Sequence, residues 1–238
     1  MDRICEPELM DEKEQAKAYA AADFEEPHNR VVDLFGRYFP ARQVSGTLLD
    51  LGCGPGDICF RLVRRFPDLV VHGIDGSEAM LELARQRLQN EPDFEGRLHF
   101  ARARIPQLSP SADRWDTILC TSLLHHLHRP QDLWEAIKRL ADEKTFIFVI
   151  DLYRPESVEK AEWIVDHYSG AEPEILKRDF FNSLLAAFTP LEVEQQLVDC
   201  GLSGLAVSTI SDRHLMIHGF KAGSSSLPPS SAAISSNS

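Results

Sequence analysis

The 238-residue chain is short of basic charge: 25 Lys and Arg stand against 37 Asp and Glu, a formal net charge of −12. A protein that grips nucleic-acid phosphates needs a basic face, so no nucleic-acid partner is expected. No stretch approaches the roughly 20 apolar residues of a membrane span, and Met1 to Asp11 is acidic and lacks the apolar core of a secretion signal. The expectation is a cytoplasmic protein with no membrane partner. The five cysteines, Cys5, Cys53, Cys59, Cys120 and Cys200, show no CxxC or other paired metal spacing. They read as reduced thiols rather than a disulfide frame. Internal repeats are absent too, and the length suits one domain with a lid.

Against these absences stands one informative run, Leu48-Leu49-Asp50-Leu51-Gly52-Cys53-Gly54-Pro55-Gly56-Asp57. An apolar strand empties into three alternate glycines, leaving bare backbone beside whatever binds there. A helix from about Asp57 to Phe66 follows, then a second strand, Leu69 to Ile74, ending in Asp75. A carboxylate at the tip of the second strand of a βαβ unit can accept both hydroxyls of a ribose lying over the glycine loop.

Two cofactor classes use this layout. The dinucleotide fingerprint Gly-x-Gly-x-x-Gly needs glycine at position 57, where this chain has Asp57, and an acid at that helix start opposes a pyrophosphate. S-adenosylmethionine has no phosphate and carries a sulfonium, so an acidic loop suits it.

The segments LLDLGCGPGD, VVHGIDGSEAML and RWDTILCTSLLHHL resemble the first, second and fourth motifs of the class I S-adenosylmethionine-dependent methyltransferases. The resemblance spans roughly residues 15 to 220. It implies a Rossmann-like α/β fold: a seven-stranded, mostly parallel sheet of order 3-2-1-4-5-7-6 with helices on both faces and a helical lid. It also implies that Asp50, Gly52, Gly54 and Gly56 belong to the cofactor loop, that Asp75 holds the ribose, and that Gly76, Ser77 and Met80 line the adenine. Ser122, after strand four, completes the cofactor side. Many relatives place an Asp before a Leu-Pro pair after strand three. This chain has Phe100-Ala101-Arg102-Ala103-Arg104-Ile105-Pro106 instead, which leaves a backbone group near Ala103 or Arg104, or a stacked Arg104, to meet the purine. In related enzymes N-terminal helices close over the cofactor with an aromatic or basic side chain near the methionine carboxylate. Tyr19 and Arg30 are the candidates here, the alternative being a packed tyrosine and a solvated arginine.

The remaining pattern divides the chain into N-terminal helices (1–45), a core (46–221) and a Ser/Pro-rich tail (222–238) expected to be disordered. Helices are expected at Glu12 to Ala22 and Asn29 to Tyr38, joined through the breaker Glu26-Pro27. Strands at Leu98 to Ala101, Thr117 to Thr121 and Thr145 to Ile150 alternate with helices near Ser77 to Gln89 and Pro130 to Ala141, as a parallel sheet requires. Thr189-Pro190-Leu191-Glu192 spells a capping box. Leu205 to Ile210 and His214 to Phe220 form a terminal hairpin, which a NAD-binding fold lacks. Between strand five and the capped helix, about residues 154–188, two helical patterns (Ser157 to Tyr168, Glu174 to Ala187) form an insertion at the carboxyl edge of the sheet, where it would serve as a substrate lid.

Methyl transfer from a sulfonium needs alignment and water exclusion more than activation, and a general base only where the acceptor must lose a proton. In Ser122-Leu123-Leu124-His125-His126-Leu127-His128, His125 is the candidate base, unless Leu-His-His-Leu only packs the loop. No metal site is expected, because adjacent histidines diverge and no carboxylate or cysteine joins them at ligand spacing. Asp151 sits at the catalytic edge of strand five. Arg154 is a candidate clamp for an anionic substrate, or half of an internal Asp–Arg pair that orders the root of the lid. Arg213-His214, at the hairpin turn, reads as solvated.

The expected activity is S-adenosylmethionine-dependent methyl transfer to a small-molecule substrate in a closed pocket, with O, N, S or C as acceptor atom left open. A non-catalytic S-adenosylmethionine-binding or scaffold protein is the alternative, with a NAD(P)-dependent oxidoreductase behind it. An open acceptor cavity beneath the lid favours the enzyme; a lid filled by its own side chains favours the binding protein.

Overall fold

A computed structural model describes residues 1–8, 19–20, 22, 24–108 and 114–221. Seven strands, β1 (Gly46–Leu51), β2 (Leu69–Asp75), β3 (Leu98–Arg102), β4 (Thr117–Thr121), β5 (Phe146–Leu152), β6 (Ala206–Thr209) and β7 (His214–Phe220), form one sheet in the order β3-β2-β1-β4-β5-β7-β6. The first five pair in parallel, and β7 runs antiparallel to both β5 and β6. The order reverses between β1 and β4, which opens a crevice at their carboxyl ends. The expected order and hairpin are both present.

Helices α1 (Glu25–Tyr38), α2 (Asp57–Arg65), α3 (Glu78–Asn90), α4 (Gln131–Leu140), α5 (Val158–Ser169), α6 (Glu174–Ala186) and α7 (Pro190–Asp199) surround the sheet. Every residue of β5 is buried, as a central strand covered on both faces must be, and its run Phe-Ile-Phe-Val-Ile is apolar throughout for that reason. One core layer packs α1, α2 and α3 against the sheet around Phe35, Phe60, Leu62, Leu81 and Phe148. The other packs α4 and α7 around Leu133, Trp134, Ile137, Val193 and Leu197. Trp134 Nε1 donates to Gln196 Oε1 at 2.9 Å, which gives the buried indole N–H its partner. A third, smaller cluster (Leu152, Ala161, Ile164, Val165, Leu184, Leu185) roots α5 and α6 at the end of β5.

Helix α1 starts four residues before the expected Asn29 and contains Pro27, which was expected to break the chain. Pro27 lies in the first helical turn, where the missing N–H would have had no intrahelical acceptor, so it costs little there. The helix expected at Glu12 to Ala22 lies largely outside the described residues, which include Tyr19, Ala20 and Ala22 of it; the tail 222–238 is outside them entirely. Among the described residues no helix is long and apolar enough to cross a membrane.

The capping box of α7 is formed as the sequence spells it: the Glu192 N–H donates to Thr189 Oγ1 at 3.3 Å and the Thr189 N–H to Glu192 Oε2 at 2.7 Å. Thr189→Ala is expected to cost about 1 kcal/mol and to lower the melting temperature by about 2–4 °C, read by circular dichroism.

Candidate active site

The site begins where β1 ends. Gly52 N–H and Cys53 N–H both donate to the Ile74 carbonyl, at 2.8 and 3.0 Å, which bends the chain off β1 without breaking its tie to β2. Gly52, Gly54 and Gly56 all take positive φ, the left-handed region that a Cβ disfavours. Their surroundings separate their tasks. A Cβ on Gly52 would strike Leu123 at 2.8 Å, and one on Gly56 would strike the Phe100 ring at 2.6 Å, so these two are glycine for packing. A Cβ on Gly54 would meet nothing within 4 Å. Gly54 borders open space that a ligand can fill. Gly56 caps α2 and is not among the residues lining the cavity.

Asp75, the last residue of β2, accepts from Gly54 N–H (2.8 Å, Oδ2) and Ser77 N–H (2.7 Å, Oδ1). Both donors are backbone N–H groups, which fix the carboxylate where it lines the cavity. Gly76, Ser77 and Met80 line the cavity beside it, with Ser77 capping α3 through Met80 N–H. Across from them, Ala103, Arg104, Ile105, Pro106 and Gln107 form the wall after β3. The Ala103 N–H is engaged by the Asp75 carbonyl at 3.0 Å.

The N-terminal side supplies an aromatic run. The Tyr19 and Phe24 rings lie 4.8 Å apart and those of Phe24 and His28 5.0 Å apart. Burial first, then the carboxylates of Asp57, Asp75 and Asp151, push the Tyr19 hydroxyl up to about 12, so it remains protonated. Asp57, at the start of α2, accepts from His28 (2.7 Å), Arg61 (2.6 Å) and Arg87 (2.9 Å). Burial alone would raise its carboxyl, but these donors outweigh it and hold Asp57 well below the usual carboxylate range. Asp57 is thus a neutralised corner rather than a bare charge, and what disfavours a pyrophosphate here is the absent glycine at position 57. Arg30 lines the same cavity and donates to the Ile210 carbonyl at 2.5 Å, joining α1 to the hairpin.

The other side of the cavity follows β4. Ser122 takes φ +52°, rare for a residue with a side chain and costing of order 1 kcal/mol or more. It is held there by its N–H to the Ile150 carbonyl at 2.9 Å. The chain then makes a short 3₁₀ turn, Leu124–His126. Asp151, buried in β5, accepts from Leu124 N–H and Leu152 N–H, both at 2.7 Å, and its Oδ1 lies 2.5 Å from His125 Nδ1. Burial opposes the Asp151 charge, but the His125 ring and the backbone donors prevail and lower its pKa. For His125 burial likewise opposes the charged form, and the Asp151 carboxylate, with help from Glu6, raises the imidazole on balance. An acceptor-only carboxylate on Nδ1 leaves His125 Nε2 as the atom available to the cavity.

Glu6 is the residue that the local spacing around the histidines did not show. The N-terminal segment folds across the turn: Arg3 donates to the carbonyls of Ala186 (2.5 Å), His125 and Leu127 (both 2.9 Å) and stacks its guanidinium 3.9 Å from the Phe188 ring centre. Ile4 N–H donates to the Leu185 carbonyl at 3.0 Å. This strap carries Glu6 Oε1 to 3.5 Å from His125 Nε2 and 3.1 Å from His126 Nδ1. The two histidines therefore do have a carboxylate neighbour, contributed from far upstream in the chain.

Three expected site residues sit elsewhere. Arg154 does not face the cavity: it is buried, donating to the Ala187 carbonyl at 2.9 Å and Glu192 Oε1 at 2.7 Å. It orders the root of α5 and α6, with Glu192 rather than Asp151 as its partner. Asp50 is fully buried beneath the glycine loop, where it accepts from Cys59 Sγ at 3.0 Å, and burial pushes its carboxyl up to about 7. Gly56 serves the helix cap described above. Arg213 and His214, expected to be solvated, line the cavity instead, with Arg213 3.3 Å from the Tyr168 ring centre. Burial and the neighbouring Arg213 lower His214 to about 4.

Gly52, Gly54, Asp75, Gly76, Ser77, Met80, Arg104, Ser122, Tyr19 and His125 all border one cavity of about 1940 Å³ among the described residues. A drug-sized ligand occupies about 300–1,000 Å³, so there is room for two. Its far wall is the inner face of α5, α6 and their connection, with Tyr168, Leu176, Asp179, Phe180 and Ser183.

A family model described as a methyltransferase domain matches residues 48–143, from β1 through α4. Among curated proteins, a trans-aconitate 2-methyltransferase of Yersinia pestis (strain Pestoides F) is 50% identical over 58 residues, 24% of this chain and 22% of the relative. The match thus spans about a fifth of the relative's length. Among solved structures, a SAM-dependent methyltransferase from Aquifex aeolicus aligns over 87% of this chain and 97% of its own, with a TM-score of 0.62 at 17% identity. The plantazolicin methyltransferase BpumL in complex with SAH aligns over 86% and 90%, with a TM-score of 0.65 at 19% identity.

The Asp57 clamp carries a pH signature. A carboxyl held below its unfolded value contributes stability in full above about pH 4, and the contribution is lost as pH falls below that. In urea denaturation, Asp57→Asn is expected to be less stable than wild type at pH 7 and to lose less on going from pH 5 to about pH 3. Equal slopes for the two proteins would show that the clamp does not titrate with folding.

Proposed function

We propose that the chain is a class I S-adenosylmethionine-dependent methyltransferase that methylates a small-molecule acceptor enclosed beneath α5 and α6; the methyltransferase-domain match over residues 48–143 and the sheet order support that reading. The observation that carries the proposal is the continuity of the cavity, from Gly54 and Asp75 past Ser122 to His125 and on to the lid helices. An acceptor space that the lid's own side chains do not fill supports turnover over mere cofactor binding.

The residues present fit the cofactor. Gly54 leaves a cradle that a Cβ would enter, and Asp75 has oxygens oriented by backbone donors. S-adenosylmethionine, when bound, supplies a methyl group already activated by its sulfonium. Gly52 and Gly54 border its methionine part, Asp75 takes the ribose, and Gly76, Ser77, Met80 and the wall at Arg104 enclose the adenine. Tyr19 covers the site from the N-terminal side. Ser122, in its strained conformation, turns the chain so that the following histidines face the acceptor. His125 activates the acceptor: Asp151 orients the ring through Nδ1, and Nε2, beside Glu6, is the nitrogen left to take a proton. The lid and the N-terminal strap exclude water. Arg154 acts one step back by fixing the lid's root.

Two measurements test this. Gly54→Ala is expected to fold, since its Cβ has space, yet to weaken S-adenosylhomocysteine binding by calorimetry about tenfold or more; undiminished binding would move the cofactor off the loop. Small hydroxylated, carboxylated, thiol and amine compounds, screened with a labelled methyl donor, are expected to yield a methylated product. On that acceptor His125→Gln should lower kcat about 10²–10⁴-fold with S-adenosylhomocysteine affinity unchanged. Tight cofactor binding without product from any class would favour the binding-protein alternative.

A further inference from the structure

Beside the acceptor space, Glu6, His125 and His126 place one carboxylate oxygen and two imidazole nitrogens within 4.8 Å of one another. We infer that Glu6, His125 and His126 form a seat for one divalent transition ion of the zinc or iron(II) type, with its remaining coordination positions open to the cavity. Two imidazoles and a carboxylate are a donor set that such ions take with positions left for water or substrate.

Four features of the cluster carry the inference. First, the spacing is close to what an ion needs: bonds of about 2.0–2.1 Å at tetrahedral angles put donors about 3.3 Å apart, and Glu6 Oε1 already lies 3.5 and 3.1 Å from the two nitrogens. Second, His125 has the outer support of a metal-bound histidine, its Nδ1 on the Asp151 carboxylate, which fixes the ring and leaves Nε2 as the ligand atom. Third, His126 Nδ1 is buried and makes no hydrogen bond, its one contact being Glu6 Oε1 at 3.1 Å. A buried ring nitrogen with no hydrogen bond is costly, and ligation would satisfy it. Fourth, Glu6 is not a mobile surface acid. Ser183 Oγ donates to it at 3.1 Å, its carbonyl lies 2.8 Å from His128 Nε2, and the Arg3 contacts hold the strap on either side of the turn.

The inference rests on the methyltransferase reading only for its consequence. An ion here would bind an oxygen of the acceptor, a hydroxyl or carboxylate, and would acidify a bound hydroxyl. The O–H bond breaks, the proton leaves to solvent, and the electron pair stays on the oxygen that faces the methyl site. With the ion bound, His125 acts on the acceptor as the ion's ligand; without it, His125 is the base described above.

The test is metal binding, independent of turnover. Chelator-stripped full-length protein is titrated with zinc(II) by calorimetry and with cobalt(II) by visible absorption, alongside Glu6→Gln and His126→Ala. Circular dichroism and S-adenosylhomocysteine affinity report whether each variant keeps its fold and cofactor site. Expected are one zinc per chain, cobalt d–d bands of a four- or five-coordinate site, and affinity weakened about tenfold or more in both variants, with S-adenosylhomocysteine binding retained. No zinc binding by the wild-type protein, or binding that both folded variants retain at full strength, overturns the site. The methyltransferase reading would survive that result if S-adenosylhomocysteine still binds, and would itself fall if it does not.

Discussion

One carboxylate fixes where the two halves of the crevice meet. Asp75 closes β2, receives the Gly54 N–H from the loop after β1, and receives Ser77 N–H at the start of α3. These bonds hold three chain segments at one level on the carboxyl edge of the sheet, and a charge-assisted bond of this kind contributes about 1.5–3 kcal/mol. The parallel register does the rest. Leu51 of β1 is level with Ile74 of β2 and Cys120 of β4, so the residues just beyond them, Gly52, Asp75 and Thr121, emerge around a common space. A ligand spanning the crevice meets groups from three strands because the sheet has already aligned them.

An acidic chain can build such a site only by matching its carboxylates with donors. Asp57 has His28, Arg61 and Arg87, Asp151 has His125 and two backbone N–H groups, and Asp75 has two more. For Asp57 and Asp151 these donors outweigh burial and lower the pKa. Asp50 shows what happens otherwise: it has a cysteine as its donor and an oxygen, Oδ1, with no hydrogen-bond partner, and burial raises its pKa to about 7. The glycine-loop side of the cavity therefore carries carboxylates matched by donors rather than bare charge. Arg213 and the uncharged His214 occupy the lid side.

What the sequence made legible was everything encoded locally. Glycine spacing, strand alternation, the acid after β2 and the Thr189 cap each act within a few residues, and each lies where its pattern put it. What it hid depends on long-range contact. Arg154 looked like a clamp because it stands at the end of a catalytic-edge strand, but Glu192 and the Ala187 carbonyl, both on the far side of the lid, draw it inward. Gly56 shares the loop's spacing with Gly54, and only the Phe100 ring, from a strand later in the chain, assigns it to packing. Pro27 breaks a helix interior but not a first turn, a distinction that needs the helix boundary. Glu6 had no local signal at all, since nothing near position 6 marks it as a neighbour of His125.

The strap that delivers Glu6 is held at several points rather than one. Arg3 spends its guanidinium on the carbonyls of His125, Leu127 and Ala186 and covers the Phe188 ring, so it touches the histidine turn and the end of the lid together. Glu6 itself joins His125 and His126 on one side and Ser183 of α6 on the other. Burial would by itself favour a neutral Glu6, yet its contacts with His126, His125 and Ser183 lower its pKa and keep it charged. A carboxylate kept charged in a half-buried position next to two imidazoles has to be matched by a proton on one of them or by a cation between them. That requirement makes the strap part of the site's chemistry and not only its cover, because moving Glu6 away would change the charge that the His125 turn presents to the cavity.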